Sequence, residues 1–129
     1  MRPKHSSILV LEDEPSVLSL ITAVLHAGGC RDLATCTSLA EARELWRKNA
    51  GRFDLVLTDF TLPDGSVPSL LIDMLKEKPD LQVVLMSGFP VEALGLPSEL
   101  EEKIHTFAKP FRPVELLAFL QQLPVAVPA

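Results

Sequence analysis

The stretch that decides the fold is Leu55-Val56-Leu57-Thr58-Asp59-Phe60-Thr61-Leu62-Pro63-Asp64-Gly65. An apolar run ends at a carboxylate, and a turn follows at once. Such a run, without polar alternation, reads as a strand buried on both faces, the kind found in parallel sheets. Three further runs have the same form. Ile8-Leu9-Val10-Leu11 ends in Glu12-Asp13, Val83-Val84-Leu85-Met86 ends in Ser87-Gly88, and Ile104 to Ala108 ends in Lys109-Pro110. In an open parallel sheet the C-terminal strand ends share one edge, and ligands bind there. Three acids, a hydroxyl and an amine would then meet, a set that suits a divalent metal and a phosphoryl group.

Helical spacing fills the intervals. Pro15 to Ala27 carries Val17, Leu18, Ile21, Val24 and Leu25 on one face, and Gly28-Gly29 stops it. Arg31 to Thr35 reads as a weaker strand near a sheet edge. Ser38-Leu39-Ala40-Glu41 is a capping-box pattern that opens a helix to about Asn49. Pro68 suits the first turn of a helix running to about Lys78. Pro90 to Glu102 predicts a poor helix, because Gly95 and Pro97 interrupt it. Pro113 opens a last helix to about Leu123. Five strands alternating with five helices predict an α/β, doubly wound parallel sheet with right-handed crossovers. The whole of 1–129 reads as one domain, with a core at about 7–123 and flexible tails at 1–6 and 124–129.

Composition agrees with that size and class. A chain of 129 residues with 47% hydrophobic and 22% charged residues is globular and long enough for one well-buried core. A net charge of -5 argues against direct nucleic-acid binding. No apolar run approaches the roughly 18 residues of a membrane span, so no membrane insertion is expected. The basic start, Met1 to Ser7, meets acid at Glu12 too early for a signal peptide. Cys30 and Cys36 fit no common zinc spacing and read as reduced thiols of a cytoplasmic protein.

The strand-end residues have definite chemistry. A carboxylate cluster binds a hard cation such as Mg2+, which takes oxygen ligands and keeps several waters. Glu12 and Asp13 are neighbours, so a strict strand would aim them to opposite faces; a strand end that opens into a loop can aim both at one place. Asp13 or Glu14 could instead cap the first helix ahead of Pro15. Asp59 suits a metal ligand, a nucleophile, or both. Ser87 can donate to a phosphoryl oxygen, Gly88 leaves room beside it, and Lys109 supplies a compact cation. Singly, each has a plain structural role; their common position at strand ends favours the chemical one.

With these residues in place, the chain resembles bacterial response-regulator receiver domains from about Ser7 to Leu123. The matching features are Glu12-Asp13, Asp59 with Pro63 and Gly65, Ser87-Gly88, and Lys109-Pro110-Phe111. The resemblance implies a flavodoxin-like sheet of order 2-1-3-4-5. It implies that Asp59 accepts a phosphoryl group from a sensor histidine kinase or a histidine phosphotransfer protein. Glu12, Asp13, Asp59 and the backbone carbonyl of Thr61 would hold Mg2+, and Ser87 and Lys109 would contact the phosphoryl group. The chain departs from the pattern where many relatives carry a switching aromatic on the fifth strand. Thr106 stands there, and Phe107 beside it is expected to pack in the core. Thr61 and Phe89 are expected to flank the site.

Phosphorylation would then bias a two-state equilibrium and switch the binding of a downstream protein. Two settings fit: a stand-alone receiver, or the receiver of a hybrid sensor kinase. One alternative is a Mg2+-dependent phosphatase of the haloacid-dehalogenase type, although Thr61 occupies the place of its usual second aspartate. Another is a degenerate receiver that acts as an interaction module without phosphorylation. In the last helix Val114, Leu116, Leu117, Phe119, Leu120 and Leu123 cover more than one face. That breadth suggests a partner or homodimer surface using Phe119 or Val114.

Overall fold

The computed structural model describes residues 7–49 and 51–123, with Val91 by its backbone. The tails expected at 1–6 and 124–129 lie outside the described residues. Five parallel strands form the sheet: β1 (Ile8–Leu11), β2 (Leu33–Cys36), β3 (Leu55–Asp59), β4 (Gln82–Ser87) and β5 (His105–Ala108). Their spatial order is β2-β1-β3-β4-β5, as the resemblance implied. The helices are α1 (Pro15–Ala27), α2 (Leu39–Lys48), α3 (Val67–Glu77), α4 (Ser98–Glu101) and α5 (Pro113–Gln121). Among the described residues, no helix is long and apolar enough to cross a membrane.

Strand alternation builds two cores from continuous apolar runs. Leu9, Leu11, Val56, Val83 and Leu85 pack against Leu39, Ala42 and Trp46 of α2 and Leu70, Leu71 and Met74 of α3. Ile8, Val10, Leu55, Leu57, Val84 and Met86 pack against Ile21, Val24 and Leu25 of α1 and Leu116 and Leu120 of α5. Each fully buried leucine or valine contributes about 1.5–3 kcal/mol by leaving water. That burial holds the strands in register, with Leu11 beside Thr58, Asp59 beside Met86, and Ser87 beside Ala108. The register brings the polar strand ends together.

Three elements differ in detail from the sequence expectation. β2 starts at Leu33 rather than Arg31, because Arg31 and Asp32 are exposed and pairing begins with Ile8 opposite Leu33. The interrupted fourth helix is a 3-10 turn at Val91–Ala93 followed by the single turn of α4. Gly95, at φ 65, and Pro97 separate the two pieces. The wide apolar surface of α5 is mostly consumed inside the chain. Phe119 is half-buried, its ring 5.0 Å from that of Phe107 and 6.1 Å from that of His105. Val114, by contrast, is 68% exposed.

Candidate functional site

The acid cluster is built from the ends of β1 and β3. β1 stops at Leu11, so Glu12 and Asp13 both lie in the loop and escape strand alternation. Glu12 turns inward and is 1% exposed, while Asp13 is exposed. Oxygens of Glu12, Asp13 and Asp59 nevertheless lie within 4.8 Å of one another. Neither Asp13 nor Glu14 caps α1 through its side chain. Glu14 occupies the cap position without a side-chain bond, and its N–H donates to Glu12 Oε2 at 3.1 Å.

A buried carboxylate needs a partner, and Lys109 supplies it. Lys109 Nζ donates to Glu12 Oε1 at 2.7 Å and stands 3.4 Å from Asp59 Oδ1. Burial works against the Lys109 ammonium. The hydrogen bond that the ammonium donates to Glu12 and the charges of Asp59 and Glu12 together outweigh it and hold the amine above its ordinary range. Asp59 Oδ1 also accepts the Phe60 N–H at 3.0 Å. Three carboxylates against one ammonium leave a net charge of -2 at the site. An all-oxygen donor set with that charge fits a hard divalent cation.

Ser87 and Lys109 are linked through the backbone: the Lys109 N–H donates to the Ser87 carbonyl at 2.8 Å. The Ser87 side chain is buried, and its Oγ accepts the Phe89 N–H at 3.0 Å. A hydroxyl can accept and donate at once, so its proton stays available to an incoming oxygen. A Cβ at Gly88 would meet nothing within 4 Å, so space is open beside Ser87. The peptide bond between Lys109 and Pro110 is cis. Thr61, two residues past Asp59, is exposed and pairs with Ser66 in a two-residue antiparallel ladder.

Thr106 and Phe107 occupy opposite faces of β5. Thr106 is exposed, whereas Phe107 is half-buried between Phe111, at 5.4 Å, and Phe119. The sequence expectation for Phe107 holds. Sequence reasoning missed Asp64. Its Oδ1 accepts the Leu39 N–H at 2.9 Å and its Oδ2 the Ala40 N–H at 3.0 Å, tying the loop after β3 to the start of α2. The only local signal was an Asp-Gly pair in a turn, which has its own local explanation. The two cysteines are buried and free, and burial raises both thiols, Cys36 to about 12.

Residues 8–121 match the family model described as the response regulator receiver domain. The chain is 26% identical over 125 residues to a protein named sensor kinase CckA from Brucella abortus, covering 92% of this chain and 12% of that one. It is 28% identical over 131 residues to the DNA-binding transcriptional regulator NtrC from Azospirillum brasilense, covering 96% and 26%. This chain therefore spans about a quarter or less of the length of these relatives. Among solved structures, the signal receiver domain of an HD domain-containing protein from Pseudomonas fluorescens Pf-5 superposes with a TM-score of 0.79. That match has 24% identity and covers 92% of this chain and 94% of the other, a likeness of fold.

Proposed function

The chain belongs to the response regulator receiver domain family, and on that premise we propose that Asp59 is its phosphoacceptor. The observation that carries this reading is the position of Lys109 Nζ, 2.7 Å from Glu12 and 3.4 Å from Asp59, with the Asp13 carboxylate in reach. One cation and two further acids converge on the Asp59 carboxylate at the end of a buried strand. Receiver domains work as signalling switches with histidine kinases or phosphotransfer proteins. The donor here is then a phosphohistidine on such a partner.

An Asp59 carboxylate oxygen attacks phosphorus. The P–N bond to the donor histidine breaks, the imidazole nitrogen leaves with the bonding pair and takes up a proton, and an acyl phosphate remains on Asp59. Lys109 balances charge on one phosphoryl oxygen, and the Ser87 hydroxyl donates to another. Glu12, Asp13, Asp59 and the Thr61 carbonyl would hold Mg2+, which when bound offsets charge on the phosphoryl oxygens. The added charge then pulls on Ser87 and the segment after it, which biases the binding of a downstream protein. The reading takes residues 7–123 as one receiver unit. It places the chain in the cytoplasm, where buried thiols such as Cys30 and Cys36 stay reduced. It assigns the chain no substrate turnover beyond its own phosphorylation and dephosphorylation.

The test is the intact mass of the native chain and of Asp59→Asn after incubation with acetyl phosphate, with and without Mg2+. The expected result is one added phosphoryl group that needs both Mg2+ and Asp59. An adduct that persists in Asp59→Asn would overturn the assignment.

A further inference from the structure

Asp64 reaches the start of α2 from the loop after β3. A helix start leaves its first amides without intrahelical partners. In α2 the Ser38 hydroxyl already accepts the Glu41 N–H at 3.2 Å, so the helix has its own cap. Asp64 takes the two amides before it, one with each carboxylate oxygen, across 24 or 25 residues of sequence. A carboxylate is favoured there by the positive end of the helix dipole. The Leu39 bond first, and then the Ala40 bond, hold the Asp64 carboxyl below its ordinary range.

The neighbouring residues press the loop to the same place. Gly65 adopts φ 147, and a Cβ there would come 3.1 Å from Leu39 Cδ1. Leu62 and Leu39 are buried in one cluster. At the other end, the Phe60 N–H is held by the Met86 carbonyl at 2.9 Å as well as by Asp59. Between these ends, Thr61 and Leu62 pair with Ser66 and Gly65. Thr61 thus sits in a stretch fixed at Phe60 and at Asp64.

We propose that Asp64 is a positioning residue for the Mg2+ site. Its two-oxygen bond to the start of α2 sets the height of the loop after β3, and so presents the Thr61 carbonyl to a cation held by Glu12, Asp13 and Asp59. This rests on the receiver reading of the same site.

The test is calorimetric titration of the native chain, Asp64→Ala, Asp64→Asn and Ser38→Ala with MgCl2, at a temperature where each is folded by circular dichroism. Asp64→Ala should bind Mg2+ about tenfold more weakly, in the range for losing a group that orients a metal ligand. Asp64→Asn keeps one acceptor oxygen and should fall between. Ser38→Ala removes a bond from the same helix start. It should lower Tm yet leave Mg2+ affinity as in the native chain. Native-like affinity in Asp64→Ala overturns the proposal. So does equal weakening in Ser38→Ala, which would make helix stability the cause. If Asp64→Ala does not fold, Asp64→Asn carries the comparison. If the native chain itself binds no Mg2+, the receiver reading of the site falls, and this proposal with it.

Discussion

The loop after β3, residues 60–66, is tied to its surroundings at nearly every position, whereas the segment after β4, residues 88–97, is held at few. The first has Asp64 bonded to two amides, Gly65 against Leu39, Leu62 in the core and a short ladder. The second has a 3-10 turn, open space at Gly88, and Phe89 at 69% exposure. Both leave the same edge of the sheet beside Asp59. On the proposed reading, the difference amounts to a division of labour between a cation site and a responsive segment. Geometry that holds a cation must be fixed before the ligand arrives. A segment that responds to the ligand must cost little to move, and few buried contacts make it so.

The largest expected effect breaks the fixed side. Leu62→Ala removes a buried side chain beneath the loop and should cost about 2–5 kcal/mol in a urea melt. A cost under about 0.5 kcal/mol, the range of a plain surface change, would show that the loop is not seated in the core. Next is Lys109→Met, which leaves Glu12 buried without its cation. The loss should be about 2 kcal/mol, below that of a fully buried pair, because 22% of the Lys109 side chain stays exposed. Mg2+ should restore part of it by binding the folded state.

The same lysine gives a pH signature. Its folded value lies above its ordinary 10.5. Its stabilising contribution is therefore complete below the unfolded value and is lost as pH rises through the higher folded one. Melts of the native chain at alkaline pH should show that loss. Lys109→Met should lack it, and equal slopes in both proteins would contradict the pairing with Glu12 and Asp59.

Two glycines sharpen the comparison directly. Gly65→Ala meets an unfavourable φ and the Leu39 side chain, and should cost on the order of 1–3 kcal/mol. Gly88→Ala adds a methyl to empty space and should change stability by less than about 0.5 kcal/mol. The smallest effect is that of Phe89→Ala, also within about 0.5 kcal/mol, because its ring already lies in water. If Phe89→Ala costs as much as Leu62→Ala, the two loops are not held differently.

Much of this was legible in the sequence, for local reasons. Apolar runs ending in Glu12, Asp59, Ser87 and Lys109 announced parallel strands whose polar ends share one edge. The broken helix between Pro90 and Glu102 followed from Gly95 and Pro97. What was hidden depends on distant partners. Asp64 reads as an ordinary turn residue until the fold brings α2 beside it, 25 residues away in sequence. Phe119 reads as surplus apolar surface until β5 places Phe107 and His105 against it. The partition between Glu12 and Asp13, one buried and one exposed, depended on where β1 stops, a boundary that periodicity does not fix.

The most direct test of the central claim is chemical localisation of the phosphoryl group. The native chain, incubated with acetyl phosphate and Mg2+, is reduced with borohydride, which converts an aspartyl phosphate to homoserine, and its peptides are weighed. The predicted result is one homoserine, at position 59. A homoserine at Asp13, or none in a chain whose intact mass shows the adduct, would contradict the account.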